Sequence, residues 1–390
     1  MMYMSKIGKE DTQFLKIKKD SAEKFLNLIK TKLSDEFIVD KRKKVIHSGV
    51  YVLFPLIKNR ENIYKLNECN VNGLKFEIIS AKGELNPRSK FRSLEEALVR
   101  ELPEDIIDLI PKSYDVIGKI AIIEFDKLNS LNGDKDSFYK KKIAEAISKV
   151  NKTVETVYEK KSEVKGKYRL KELQPIFGVD NPETFHKENH CIFKLDVNNT
   201  YFTPRLVFER KRLSLLKFAK NELIVDMFAG VGPFSIQIAK NNDVKIYSFD
   251  INPTAHKYLI ENIKLNKLKG EILAYNIDVV DLINSSNELG INLKNRVDRT
   301  IMNLPEQSIN YVDIACFLMK KTGGILHLYQ FCEKPNPIEK GIENLRTKLN
   351  RMGWYIEEII NSKIVKPFSP KSDLVVVDVK IKYIIQLIVE

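Results

Sequence analysis

The sequence predicts an α/β protein. Its larger part, residues 191–390, is expected to be a doubly wound, mostly parallel sheet with an antiparallel C-terminal edge, preceded by two smaller α/β domains. Three observations predict it. Beyond Cys191, short apolar strands alternate with amphipathic helices, the pattern of a parallel sheet. One of those strands turns through two glycines into a helix. The length, 390 residues, exceeds what one hydrophobic core holds, roughly 250.

Each element has its own justification. In the C-terminal part, strands are expected over residues 223–228, 245–250, 271–276, 299–303 and 324–331, with helices over 235–240 and 255–266. Residues 354–360 and 374–381 flank a proline-containing loop and are expected to pair as a hairpin, which makes the antiparallel edge. Residues 1–82 form the small N-terminal domain. There, a helix over 22–33 places Phe25, Leu28, Ile29 and Leu33 on one face, and residues 50–56 read as a strand. Residues 83–112, with Gly83, Pro87 and Pro103 around a helical stretch at 94–109, read as a linker. Residues 113–190 form the second domain, with a strand at 116–125, a basic amphipathic helix at 138–150 and a strand at 153–158.

Composition narrows the class. With 43% hydrophobic and 30% charged residues, the chain is globular rather than disordered, and no apolar run approaches the roughly 20 residues of a spanning helix. Residues 1–14 carry charges where an export signal needs apolar residues, so a cytoplasmic protein is expected. Cys69, Cys191, Cys316 and Cys332 have no metal-type spacing and are expected to be reduced. The net charge of +13 and pI near 9.2 draw the chain toward a polyanion such as nucleic acid. A lysine-rich solvated surface has the same composition, so charge does not decide. The cluster Lys41-Arg42-Lys43-Lys44 is read as a solvated turn, with RNA docking left open.

The sharpest local signal is Val225-Asp226-Met227-Phe228-Ala229-Gly230-Val231-Gly232-Pro233-Phe234-Ser235. Only a turn without side chains lets backbone N–H groups approach a ligand closely. A dinucleotide site shows the pattern G-x-G-x-x-G; here Ser235 stands at the third glycine position and Asp226 precedes the turn, which favours S-adenosylmethionine over NAD. Asp250 closes the next strand, where a carboxylate accepts both ribose hydroxyls, and Asn252 begins the helix after it. Asp278 follows a further strand, in the place that holds an adenine amino group. Each aspartate alone is equally a helix or turn cap; in register with the glycine pair, the three point to a cofactor. Asn303-Leu304-Pro305 ends a strand where substrate-facing residues stand, and the Asn303 amide can bond a base or the cofactor.

Upstream, the block Tyr201-Phe202-Thr203-Pro204-Arg205-Leu206-Val207-Phe208-Glu209-Arg210 resembles the Tyr-Phe-(Ser/Thr)-Pro-Arg-Leu-x-x-Glu-Arg block of archaeal and eukaryotic tRNA (guanine-37-N1)-methyltransferases. The glycine turn and Asn-Leu-Pro follow in that family's order. The likeness extends through residues 161–169, 186–189 and 364–370, and covers the chain from about residue 113 onward; residues 1–80 match only loosely. The resemblance implies a class I Rossmann-like methyltransferase domain, S-adenosylmethionine as cofactor, tRNA as partner with the N-terminal domain touching it, no metal, and a monomer. Position by position it implies Glu209 as general base, Arg169 steadying the guanine, and Tyr201, Asn303 and Pro305 beside the base. Arg210, Asp226, Phe228, Gly230, Gly232, Asp250, Asn252, Asp278 and Asn303 fall on the cofactor side.

The chemistry agrees with these roles. Guanine N1 carries a proton at neutral pH, which a base must remove as the N–C bond forms. Charge then moves to O6, where a guanidinium stabilises it. Alternatives stay open: an i,i+4 ion pair of Glu209 with Arg205, and Arg169 as a phosphate contact. His186 to Cys191 does not read as a zinc site, because the glutamate is misplaced for H-E-x-x-H and the segment runs into a strand. His47, His256 and His327 show no acid partner and are read as structural. The competing functions are aminocarboxypropyl transfer in wybutosine synthesis and catalytically silent RNA binding.

Overall fold

In a computed structural model of the protein, residues 10–32, 39–57, 74–84, 86, 91, 93–99, 101–128 and 134–384 are described. Leu33, Cys69 and Pro87 of the sequence reading lie outside them. The chain divides into two compact units, Met1–Glu96 and Ala97–Glu390.

The first unit contains β1 (Glu10–Lys18), α1 (Lys19–Lys32), β2 (Ile46–Ser48), β3 (Tyr51–Pro55) and β4 (Phe76–Gly83), with the strands in the order β2-β3-β1-β4. Leu15 and Ile17 of β1, Phe25 of α1, and Val52 and Phe54 of β3 form its core. The basic cluster is drawn into local pairs: Arg42 to Asp40 at 2.7 Å, Lys44 to Glu84 at 2.9 Å, and Lys43 to the Thr12 hydroxyl. The helical stretch expected at 94–109 is broken into α2 (Leu94–Leu98) and α3 (Glu104–Ile107). Pro103 lies between them, where it lacks an N–H and forces the preceding residue out of helical conformation.

The second unit opens with β5 (Asp115–Ile117), β6 (Ile120–Ile123), α4 (Asp134–Val150), β7 (Thr156–Lys160) and β8 (Leu173–Phe177), a sheet ordered β5-β6-β7-β8. The single strand expected at 116–125 is instead a tight hairpin. Gly118 turns it at φ +59°, and an added Cβ would stand 2.4 Å from the Phe185 carbonyl. An apolar run does not distinguish one strand from two. The hairpin β9 (Glu183–Glu188) and β10 (Cys191–Asp196) follows, joined by Asn189 and His190, both at positive φ.

After a 3-10 turn, Pro204–Leu206, and α5 (Val207–Ser214) comes the large sheet: β11 (Glu222–Asp226), α6 (Pro233–Asn241), β12 (Val244–Phe249), α7 (Pro253–Leu265), β13 (Glu271–Tyr275), α8 (Glu288–Leu293), β14 (Arg299–Met302), α9 (Val312–Leu318), β15 (Gly324–Glu333), α10 (Pro337–Asn350), β16 (Trp354–Pro367) and β17 (Ser372–Tyr383). The strand order is β13-β12-β11-β14-β15-β17-β16. β11 to β15 run parallel, and β17 is antiparallel to both β15 and β16, so the expected hairpin edge is present. Helices α8, α9 and α10 were not among the sequence expectations.

Neighbouring residues on these strands face opposite sides. Ile224, Ile246, Ile301, Tyr329 and Val376 pack into one core, while Val225, Met302, Leu328, Val375 and Val377 pack into another. A sheet covered on both faces leaves its strand ends as the place for chemistry. The order reverses between β11 and β14, and a crevice opens beyond the carboxyl ends at such a switch point. Among the described residues no helix is long and apolar enough to cross a membrane.

Candidate active site

β11 ends at Asp226, and the two glycines beyond it answer to different needs. Gly232, at φ +88°, fits because a Cβ there would stand 2.4 Å from Leu259 Cδ1 and 3.0 Å from Ile236 Cδ1. Gly230, at φ +57°, has open space in front of it; a Cβ would meet only the Tyr201 carbonyl oxygen, 3.8 Å away. Its backbone is therefore free to approach a ligand. Asp250 Oδ2 accepts the Gly230 N–H at 2.7 Å, and Oδ1 accepts that of Asn252 at 2.8 Å. Burial nevertheless holds the Asp250 carboxyl above its ordinary value. Asp226 is buried beneath the turn and pushed up to about 6 by desolvation. It accepts the Ser235 hydroxyl at 2.7 Å, which ties the strand end to the helix start.

The segment ahead of α5 is drawn onto this turn. Asn252 caps α7 by accepting the Thr254 N–H at 2.9 Å and donates through Nδ2 to the Asn199 carbonyl at 2.8 Å. Tyr201 is thereby placed against Gly230. The Arg169 guanidinium lies 5.4 Å from the centre of the Tyr201 ring and binds both oxygens of Glu306, at 2.9 and 3.1 Å. Glu306 follows Asn303-Leu304-Pro305, a loop fixed by Ser308, whose hydroxyl accepts the Leu304 N–H and donates to the Met302 carbonyl, and by the Phe331 N–H donating to Pro305 at 3.1 Å. Asn303 Oδ1 is buried with no hydrogen-bond partner among the described residues. An acceptor left so costs about 1–3 kcal/mol unless a donor arrives.

Arg169, Tyr201, Gly230, Asp250, Asn252, Asn303 and Pro305 thus converge at the switch point. Beside them, Phe228 stands edge-on to Tyr311 at 5.2 Å. Burial first, and the charge of Asp278 second, raise the Tyr311 hydroxyl, so Asp278 belongs to this end as well. Asp278 also caps the turn after β13 through the Val280 N–H at 3.2 Å.

Glu209 and Arg210 lie in α5 and are both buried. Glu209 takes Arg212 Nε at 2.8 Å, the Tyr329 hydroxyl at 3.0 Å and Lys363 Nζ at 2.8 Å. Burial alone would raise its carboxyl; the bonds from Arg212 and Lys363 outweigh burial and hold it below the usual range. The i,i+4 pair with Arg205 does not form, because Arg205 holds Asp115 at 2.7 Å. Arg210 is committed to Glu188 through Nε at 2.6 Å and through Nη2, and donates to the Thr203 carbonyl at 3.1 Å. Burial opposes the Glu188 charge, yet bonds from Arg210, His186 and Gln237 bring it down to about 2.

The reading of His327 as lacking an acid is corrected. Its Nδ1 lies 2.7 Å from Asp378 Oδ1 and its Nε2 lies 2.9 Å from Arg299 Nη1. Asp378 also binds Arg212, and Arg299 binds Glu222 at 2.6 Å. A buried polar chain therefore runs Glu222–Arg299–His327–Asp378–Arg212–Glu209 across one face of the sheet. Sequence reasoning missed it, and also Asn199, Glu306, Tyr311, Tyr329 and Lys363, because, apart from Glu209 and Arg212, the partners are remote in sequence.

A family model described as the TRM5/TYW2 methyltransferase domain matches residues 184–356, and one described as the TYW2 N-terminal domain matches residues 94–181. The chain is 34% identical over 359 residues to the tRNA (guanine(37)-N(1))-methyltransferase Trm5b of Pyrococcus abyssi, covering 91% of this chain and 96% of that protein. It is 35% identical over 226 residues to a tRNA(Phe) (4-demethylwyosine(37)-C(7)) aminocarboxypropyltransferase of Methanocaldococcus jannaschii, covering 57% of this chain and 84% of that protein. Among solved structures, that of aTrm5 in complex with tRNALeu superposes with a TM-score of 0.70 at 31% identity, covering 94% of this chain and 99% of that one. With the switch-point site assembled as described and the Pyrococcus abyssi enzyme matched along nearly the whole length, the chain belongs to the TRM5/TYW2 family of methyltransferases.

Proposed function

We propose that this protein transfers the methyl group of S-adenosylmethionine to N1 of guanine 37 in tRNA, with Glu209 as general base. The observation that carries the reading is the unpartnered, buried Asn303 Oδ1 at the crevice that Gly230 and Asp250 line. It asks for a donor, and both a purine and an aminoacyl cofactor bring N–H groups. Gly230, Asp250, Phe228 and Asp278 would hold S-adenosylmethionine, which supplies an electrophilic methyl carbon. Asn252 and Asp226 shape that side, and Arg210 anchors α5 through Glu188 rather than touching a ligand. Arg169 is suited to stabilise charge on O6, and Tyr201 to face the base.

Glu209 is supported by its setting. Tyr329, which bonds it, precedes Phe331 by one pleat, about 7 Å along β15, and the Phe331 N–H holds Pro305. The bonds from Arg212 and Lys363 hold the carboxylate charged and also weaken it as a proton acceptor, so the base role requires that one of them be released. Lys363, the more exposed of its two cations, is the contact that gives way. The domain division 1–82, 83–112, 113–190 and 191–390, and a monomeric cytoplasmic enzyme, belong to the same reading.

The test is an unmodified tRNA transcript incubated with labelled cofactor, followed by nuclease mapping and mass measurement. Label is expected on the guanine 3′ of the anticodon with a methyl increment. Glu209→Gln should lower kcat by roughly 10²–10⁴-fold with cofactor Kd retained. An aminocarboxypropyl increment, a different nucleotide, or undiminished turnover in the variant would overturn it.

A further inference from the structure

Residues 368–371 turn β16 into β17, and the turn is tightly built. The Phe368 N–H donates to the Ser372 carbonyl at 3.2 Å, the Ser369 and Ser372 hydroxyls bond each other at 2.8 Å, and the Lys334 N–H donates to the Lys371 carbonyl at 2.8 Å. On this turn the Phe368 ring stacks on Phe331, with centroids 3.9 Å apart and planes 26° from parallel. Phe368 nevertheless stays 54% exposed, as a ring covered on one face would be. We infer that the open face of Phe368 is a stacking platform for one base of the tRNA, a neighbour of the target guanine in the single-stranded loop.

Contacts lead from this ring pair to the acceptor side of the crevice. The Phe331 N–H donates to the Pro305 carbonyl at 3.1 Å, and Glu306, next in the chain, holds Arg169 beside Tyr201. Phe331 follows Tyr329 on the same face of β15, and Tyr329 bonds Glu209. Lys363, on the hairpin that carries Phe368, bonds the other oxygen of Glu209 at 2.8 Å. The platform is thus joined both to the loop and to the carboxylate assigned to methyl acceptance. A guanine drawn into the crevice leaves its neighbours unstacked, and single-stranded RNA bases are held by stacking on aromatic rings. The Phe331 stack and the turn fix the ring before RNA arrives, so little ordering entropy opposes the contact. From Lys363 to Ser372 the segment holds three lysines and no acid, which suits the phosphates on either side of a stacked base. The inference rests on the tRNA reading above and adds a base contact to it.

The test compares full-length wild-type protein with Phe368→Tyr, Phe368→Leu and Phe368→Ala, and with Ile291→Ala as a remote exposed control. Each is titrated with an unmodified tRNA transcript, and with tRNAs that carry an abasic site at either position flanking the target guanine. Phe368→Leu and Phe368→Ala should weaken binding of the intact tRNA by roughly 5- to 100-fold, the loss of one base stack. The slope of log Kd against log salt should not change, because no phosphate contact is removed. Phe368→Tyr and Ile291→Ala should bind as wild type does, and the Kd for S-adenosylmethionine should be the same throughout. At one of the two flanking positions the abasic site should cost wild type the same factor and cost Phe368→Leu nothing further. This coupling decides the matter, so a lowered melting point in either variant leaves the readout intact. Unchanged tRNA affinity in Phe368→Leu and Phe368→Ala, or equal abasic losses in wild type and Phe368→Leu at both positions, would reduce the ring to a cover for Phe331 and overturn the inference. A wild-type dimer that Phe368→Ala dissociates, seen by sedimentation, would assign the ring to a protein interface and overturn it too. Failure of methyl mapping on wild-type protein would instead overturn the proposed function, since the binding cycle needs no turnover.

Discussion

Gly230 and Gly232 occupy one turn, yet a methyl group added to each meets a different obstacle. At Gly232 the Cβ would collide with Leu259 and Ile236 at a positive φ. Gly232→Ala should therefore destabilise the fold by on the order of 2–4 kcal/mol, strain and overpacking together, read as a shift of the urea midpoint. At Gly230 the methyl would enter open space. Gly230→Ala should cost only about 1 kcal/mol of stability and should weaken S-adenosylmethionine binding by at least roughly tenfold, about 1.4 kcal/mol, by calorimetry. Equal effects of both changes on both readouts would contradict this separation. The glycines, Asp226, Asp250 and Asn252 were legible at this scale because their roles depend on near neighbours: a turn, a strand end and a helix cap.

At the scale of elements, strand register accomplishes what no motif announces. β15 and β17 run antiparallel with His327 opposite Asp378, and β14 beside β15 brings Arg299 within reach of the same imidazole. Burial would raise the Asp378 carboxyl, but His327 and Arg212 bring it down to about 2, against an ordinary value of 3.8. Its contribution to stability is therefore present above about pH 4 and is lost as pH falls toward 2. Asp378→Asn should cost about 3–5 kcal/mol near neutrality, as for breaking a buried pair, and should remove that acid-limb component from the denaturation profile. It should also loosen Arg212, and with it the clamp on Glu209. A neutral-pH loss under 1 kcal/mol, together with an unchanged acid limb, would sink this account. The hairpin at 115–123 and the break at Pro103 show the same limit: apolar periodicity locates elements but does not fix where a chain reverses.

For the whole molecule, the site is assembled inside one unit. Every residue of the crevice lies within Ala97–Glu390. Residues 97–390 alone should keep the full chain's cofactor Kd, while affinity for tRNA should fall if the first unit touches the nucleic acid, as the resemblance implies. Calorimetry with S-adenosylmethionine and a gel shift with tRNA separate the two. Loss of cofactor binding in the shorter chain would mean that the first unit contributes to the crevice. The excess positive charge of +13 is not uniformly free: Arg42 and Lys44 are paired locally, whereas Lys171 and Lys366 have no ion pair among the described residues. Net charge indicated a polyanion without saying which cations would meet it.

The sequence by itself determined the alternating α/β order, the glycine turn and its acids, the antiparallel edge and the family, because these rest on local periodicity, turn chemistry and contiguous motifs. Only the tertiary structure decided that Arg169 binds Glu306, that Glu209 is held by Arg212, Lys363 and Tyr329, that Arg210 serves Glu188, and that His327 has Asp378. Apart from the Glu209–Arg212 pair within one helix, those bonds join side chains from distant segments, and burial in a packed sheet sets their strength; neither is written in any stretch of neighbouring residues.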